Sequence, residues 1–213
     1  MKKPRKKREI YEAALKVFAK NGYKKTTLED IAKELDLTKS ALYIYCLNKK
    51  ELYLKSVEYG LIKWQKRVVS KVNPDLNLKD QFKQLCLNAL ISLKDDPDLL
   101  KILSQDPDLF PLSSKDEVFP ESIEYSRNIL KNLLKKGIEK KEFRNFDLEV
   151  ITNFLYSLYK LIIIKEYIIH DEEKIIEHFD KIIDIFCYGL FNTTNENLYQ
   201  GDTNENEKTK LFK

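Results

Sequence analysis

The residues whose types and spacing suggest chemistry are hydroxyls, phenols and ammonium groups gathered in one stretch, Thr26 to Lys50, TTLEDIAKELDLTKSALYIYCLNKK. Thr and Ser hydroxyls, Tyr phenols and Lys ammoniums bond phosphate oxygens, and an exposed aliphatic side chain can contact a thymine methyl. The stretch reads as a helix, a tight turn at Asp36-Leu37, a second short helix and the start of a third. A short helix held out by another helix fits the major groove of DNA. Thr27 reads as the N-cap of the first of these helices, with Asp30 in a capping-box arrangement, and Thr38 as the cap of the short one. At about 100° per residue, Leu42 and Cys46 point together toward the preceding helices. Ser40 and Ile44 then face outward, with Lys39 and Tyr43 on one flank and Ala41 and Tyr45 on the other. Either tyrosine could instead be a partly buried packing residue. Asn48 caps the next helix, with Glu51 closing its box. Lys49 and Lys50 sit in its first turn, where positive charge opposes the helix dipole. A phosphate there would remove that penalty, which makes Lys49 the expected phosphate anchor. The expected DNA contacts are therefore Thr27, Thr38, Lys39, Ser40, Ala41, Tyr43, Ile44, Tyr45 and Lys49.

No catalytic set accompanies this stretch. His170 and His178 lack a Cys, Ser or carboxylate partner at diagnostic spacing, so no enzymatic activity is expected. Cys46, Cys86 and Cys187 are far apart among apolar neighbours, which suggests reduced thiols in a cytoplasmic protein. No cluster has metal-ligand spacing, and no cofactor is expected. The most apolar run, Leu155 to Ile169, is broken by Lys160, Lys165 and Glu166 and is too short and charged to span a bilayer. The charged start MKKPRKKRE is not followed by an uninterrupted apolar region, so no signal peptide is expected.

The chain of 213 residues, 43% of them hydrophobic, can bury a substantial core, and only 5 Gly and 6 Pro favour an all-α protein. Charge is asymmetric. Residues 1–71 hold 19 Lys and Arg against 8 Asp and Glu, a surplus of 11; the remainder holds 19 against 26, a deficit of 7. One end is suited to approach a polyanion. Ile10, Ala13, Ala14, Val17 and Phe18 form one face of a first helix that Gly22 would end. A fourth helix is expected over about 48–72. Asp96-Pro97 and Asp106-Pro107 each look like an N-cap Asp with Pro at the first helical position. A helix is expected over 121–141. Two long helices follow, about 147–168 and 171–191. The first would present Val150, Ile151, Phe154, Leu155, Leu158, Leu161 and Ile162 as its buried stripe. Both helices carry apolar arcs wide enough to bury against their own domain and a second copy at once. Residues 193–213 form a polar tail.

The pattern Arg8-x-Ile10-x-x-Ala13-Ala14-x-x-x-Phe18, Gly22-Tyr23, Thr26-Thr27, Ile31-Ala32, Thr38-Lys39, Leu42-Tyr43-x-Tyr45 and Lys49-x-Glu51-Leu52 resembles the DNA-binding domain of tetracycline-repressor-type (TetR family) regulators. It departs from the family at Asp36, where Gly is usual, at Ala41, where Gly, Thr or Ser is usual, and at Cys46, where Phe is usual. The resemblance implies an N-terminal three-helix helix-turn-helix domain (1–50), a linking fourth helix and a helical ligand-binding and dimerisation domain (73–192). It implies a homodimer on double-stranded DNA, joined through the last two long helices, with Leu158, Ile162, Ile183, Phe186 and Leu190 as candidate interface residues. It also implies a pocket for a small-molecule effector, with Trp64, Tyr125 and Phe154 as candidate lining. It implies a ligand-released repressor on a palindromic operator, and the aromatic-rich composition, 12 Tyr and 11 Phe, favours an apolar or aromatic ligand. The alternative is a DNA-bound architectural or protein-interaction factor without a ligand.

Overall fold

The computed structural model describes residues 7–109, 111, 117–169, 179 and 181–185. The basic residues 1–6, His170, His178, Phe186, Leu190 and the 193–213 tail lie outside them. The described residues are all-α, with no strand among them. The helices are α1 (Lys7–Asn21), α2 (Leu28–Glu34), α3 (Lys39–Leu42), α4 (Lys49–Ser70), α5 (Leu78–Ile91), α6 (Pro97–Gln105), α7 (Pro120–Glu139) and α8 (Leu148–Ile163). Residues 179 and 181–185 are helical as well.

Local chemistry sets most of these boundaries. Gly22 ends α1 in the left-handed region at φ 78°, where glycine pays no Cβ penalty. Asn48, Asn77 and Asp147 cap α4, α5 and α8 through side-chain oxygens that accept backbone N–H groups. The first three helices bury Ile10, Phe18, Ile31 and Leu42 completely, and Leu52 of α4 joins them. Helix α1 packs chiefly on α4 and also on α6, and α7 packs on both α4 and α8. Helix α4 therefore touches both ends of the chain's core. At Gly60 of α4 an added Cβ would lie 3.2 Å from Leu15 of α1 and 3.3 Å from Leu99 of α6. Glycine is what lets those three helices close together.

The Asp-Pro pairs do not cap as expected. Pro97 does begin α6, but Asp96 makes no side-chain cap, and Asp106 ends that helix before a 3-10 turn, Pro107–Leu109. Their carboxylates reach α4 instead: Asp96 accepts from Arg67 Nη2 at 2.6 Å, and Asp106 from the Tyr53 hydroxyl at 3.0 Å. Both ends of α6 are thus tied to α4. Burial and the Asp106 charge together push the Tyr53 phenol up, so the hydroxyl stays a donor.

The first long helix is shorter than expected and is followed by a wider π turn, Ile164–Ile169. An extra residue in a turn rotates the side chains that follow. Here it brings the Tyr167 hydroxyl to donate to the Leu90 carbonyl, with the Lys94 ammonium 6.0 Å from the Tyr167 ring centre. The facing of α8 also differs. Val150, Phe154 and Leu161, expected inside, are exposed, whereas Thr152, Leu155, Tyr156 and Ile163 are buried. The Thr152 hydroxyl is satisfied by the Leu148 carbonyl one turn back at 2.6 Å, which removes the usual cost of burying it.

Candidate nucleic-acid interface and effector cavity

Helix α2 is fixed by a reciprocal cap. Asp30 N donates to Thr27 Oγ1 at 3.2 Å, and Thr27 N and its hydroxyl each donate to Asp30 Oδ2 at 2.8 Å. Those two donors hold the Asp30 carboxyl below the usual carboxylate range. The turn that follows is tight: Leu37 N donates to Ala32 O at 2.8 Å, and Asp36 takes φ 50°. That is the conformation for which the resemblance leads one to expect Gly, and Asp is one of the few other residues that visits it. Thr38 Oγ1 then accepts from Ala41 N at 3.3 Å, starting α3.

Leu42 and Cys46 point inward as expected, and burial pushes the Cys46 thiol up. Ser40 is exposed, Tyr43 is 49% exposed and Ile44 79%. Leu47, not among the expected contacts, is 80% exposed. Ser40, Tyr43, Ile44 and Leu47 stand at i, i+3, i+4 and i+7, so the outward face is more apolar than the sequence suggested. Only the repeat of that spacing past the end of α3 could have indicated Leu47. Ala41 and Tyr45 are half-buried, and Tyr45 packs against the core. The alternative reading of a packing residue therefore describes Tyr45 better than Tyr43.

Two lysines have carboxylate or carbonyl partners that the sequence did not reveal. Lys39 bonds Glu29 Oε1 of α2 at 2.6 Å, which holds the Glu29 carboxyl low and the Lys39 ammonium high. Lys49, expected to be a phosphate anchor, turns inward. Its ammonium donates to the carbonyls of Tyr23 at 2.9 Å, Thr26 at 3.0 Å and Lys24 at 3.4 Å, and lies 4.5 Å from the Tyr23 ring centre. An ammonium has three N–H donors, and the α1–α2 connection takes all three. Lys24, Lys25 and Lys50 are exposed, with no ion-pair partner among the described residues.

The expected pocket residues separate. Trp64 is buried and lines a cavity between α4, α5, α7 and α8 that Phe179, Ile182 and Ile183 also line. The cavity has room for the centres of water molecules over about 80 Å³. Tyr125 is half-buried outside it, and Phe154 is 54% exposed on the outer side of α8. Three expected interface residues, Leu158, Ile162 and Ile183, instead line this cavity. The wide apolar arc of α8 holds two stripes, and the one assigned to a partner faces inward. Phe179, on the apolar stripe of the last helix, completes the wall with Gln65 and Ser126, which had no sequence signal of their own.

Among the described residues no His, Cys, Asp or Glu group is arranged to hold a metal, and no helix is long and apolar enough to cross a membrane.

Residues 10–55 match the family model of bacterial regulatory proteins, tetR family. Over 65 residues the chain is 40% identical to an uncharacterized HTH-type transcriptional regulator, YuxN, of Bacillus subtilis, covering 30% of this chain and 22% of that protein. Over 52 residues it is 44% identical to the biofilm operon icaADBC HTH-type negative transcriptional regulator IcaR of Staphylococcus epidermidis, covering 24% of this chain and 28% of that protein. The matches thus span about a quarter of these relatives' own length. In fold, the chain is similar to the transcriptional regulator FadR from Bacillus subtilis, solved in complex with stearoyl-CoA. The TM-score is 0.67 at 18% identity, over 86% of this chain and 99% of that one. The tetR family comprises DNA-binding transcription regulators, not enzymes. Residues 10–55 are therefore a helix-turn-helix domain of the tetR family of bacterial regulatory proteins.

Proposed function

We propose that the protein is a ligand-responsive repressor that binds a palindromic operator as a homodimer in the cytoplasm. Residues 1–50 form the DNA-binding part, helix four (48–72) the link, and 73–192 the effector and dimerisation part. The observation that carries this reading is the exposed Ser40–Tyr43–Ile44–Leu47 surface of a short capped helix and the turn that follows it, with Leu42 and Cys46 buried beneath. Apolar side chains gain nothing from water but can meet thymine methyls and sugars. Tyr43, Ser40, Thr38 and Thr27 supply hydroxyls for phosphates, and Lys39 exchanges Glu29 for phosphate on binding. Lys24, Lys25 and Lys50 replace Lys49 as the phosphate-facing charges.

Two copies would place two α3 helices in successive major grooves about 34–36 Å apart. The exposed Val150, Phe154 and Leu161 of α8, with exposed Ile185 from the last helix, form the apolar face on which the second copy packs. A small apolar molecule in the cavity beside Trp64 would shift α4 against α6, alter that spacing and release the operator by population shift. The neighbouring FadR structure holds stearoyl-CoA; a cavity of about 80 Å³ suits a much smaller molecule. An apolar cavity within the helices that follow the DNA-binding part favours a sensor over an architectural factor with a solid core.

The test is selection of duplexes from a random pool by the full-length protein, with molar mass by light scattering. A palindromic consensus bound by a dimer is expected. A monomer, or binding without sequence preference, would count against the reading.

A further inference from the structure

Bases are told apart in the major groove chiefly by Arg or Lys on guanine, Asn or Gln on adenine, and Asp or Glu on cytosine. From Thr38 to Asn48 the chain has no Arg, Gln, Asp or Glu. The polar groups it does have are largely engaged within the fold. Asn48 Oδ1 accepts Glu51 N at 2.9 Å as the cap of α4, Thr38 Oγ1 accepts Ala41 N at 3.3 Å, and Lys39 pairs with Glu29 at 2.6 Å. Tyr45 is half-buried against the core. Ser40 and Tyr43 are exposed, but a hydroxyl both donates and accepts, so it suits any base and discriminates weakly.

What this surface has in excess is aliphatic. Leu47 at 80% and Ile44 at 79% are the most exposed large hydrophobic residues among those described. The backbone that carries them is pinned. Tyr45 N and Cys46 N both donate to the Leu42 carbonyl, at 2.8 Å and 3.2 Å, and Leu47 N donates to the Glu51 carboxylate. Leu42 and Cys46 fill the space beneath. The surroundings are cationic: the bonds from Lys49 to the Tyr23 and Lys24 carbonyls bring the exposed Lys24–Lys25 pair to the start of α4, where Lys50 is exposed too. An aliphatic pair flanked by lysines complements a duplex. Phosphates meet the ammoniums, and the apolar group that a base edge offers in the major groove is the thymine 5-methyl.

Resting on the reading of α3 and the turn after it as the DNA reader, we infer that Ile44 and Leu47 are its specificity-determining residues. They recognise each operator half-site by packing on thymine methyls, in place of paired hydrogen bonds to base edges. Leu47 is as much a reader as Ile44, although it lies beyond the end of the short helix.

Uracil pairs as thymine does and lacks only the 5-methyl, so it isolates this contact. The full-length protein is bound to the duplex it selects from a random pool, with uracil replacing thymine at one position at a time, in both half-sites together. Affinity is followed by fluorescence anisotropy. A methyl withdrawn from water is worth about threefold to fivefold in affinity, so the paired substitution should cost roughly tenfold at the contacted thymines and nothing elsewhere. Ile44→Ala should lose the uracil response at one of those positions and Leu47→Ala at another, with helical circular dichroism retained. Where an alanine variant binds too weakly to titrate, Ile44→Val and Leu47→Val carry the comparison. No uracil effect at any position, or a full set of uracil responses surviving in either variant, overturns the inference. The two readings fail separately. A selection that yields no preferred sequence removes the DNA-reading assignment itself, whereas a preferred palindrome indifferent to uracil keeps that assignment and removes the methyl readout.

Discussion

Lys49 and Lys50 stand side by side at the start of α4, Lys49 turned inward and Lys50 exposed. Lys49 spends its three donors on carbonyls of the α1–α2 connection, 23 to 26 residues earlier in the chain. Its removal leaves those carbonyls short of a charged donor. Lys49→Met should therefore destabilise the fold by roughly 1–3 kcal/mol, seen as a lower urea midpoint. It should change the salt dependence of DNA binding little. Lys50→Ala should do the reverse, leaving the midpoint in place and reducing the slope of log affinity against log salt by about 1. The caps at Thr27, Thr38 and Asn48 were legible because their partners lie three residues away. The Lys49 clamp was not, since the sequence shows a charge at a helix start but not which carbonyls fold back to meet it.

At the scale of elements, α4 is the junction. Its Arg67 and Tyr53 hold the two ends of α6, its Gly60 admits α1 and α6 together, and Glu58 accepts Glu121 N at 2.9 Å at the start of α7. Tyr53 also stacks within an aromatic group on Tyr23 and Phe18, with ring centres 4.7 Å and 4.8 Å away. Asp106 at the end of α6, Tyr53, Tyr23 and Lys49 thus form one continuous chain of contacts. Tyr53→Phe keeps the stacking and removes the bond to Asp106. It should cost about 0.5–1.5 kcal/mol of stability, read as a lower urea midpoint, while DNA affinity measured by anisotropy holds. The helices themselves were readable from periodicity and caps. The Asp-Pro pairs misled because a carboxylate before proline can cap its own helix or reach another, and only packing decides between them.

For the whole molecule, the question is which apolar face closes on the protomer and which on its partner. Leu158, Ile162 and Ile183 line the interior cavity, while Val150, Phe154 and Leu161 face out. Periodicity could not separate these stripes because α8 is apolar around most of its circumference, and only the packing of the neighbouring helices decides which stripe faces in. Phe154→Glu with Leu161→Glu should yield folded monomers by light scattering with helical circular dichroism retained. Ile183→Glu should instead lower the melting temperature sharply, because it buries a charge without a partner.

The central claim is that the outward surface of α3 and the turn after it reads DNA, and one measurement bears on it most directly. Ile44→Asp and Tyr43→Ala sit on exposed positions that the core does not use, so folding and dimerisation should persist. Anisotropy with the duplex selected by the native protein should show Ile44→Asp lowering affinity by at least tenfold and abolishing preference over a scrambled duplex, with Tyr43→Ala weakening both duplexes alike. Native-like affinity and preference in a folded, dimeric Ile44→Asp protein would contradict the account.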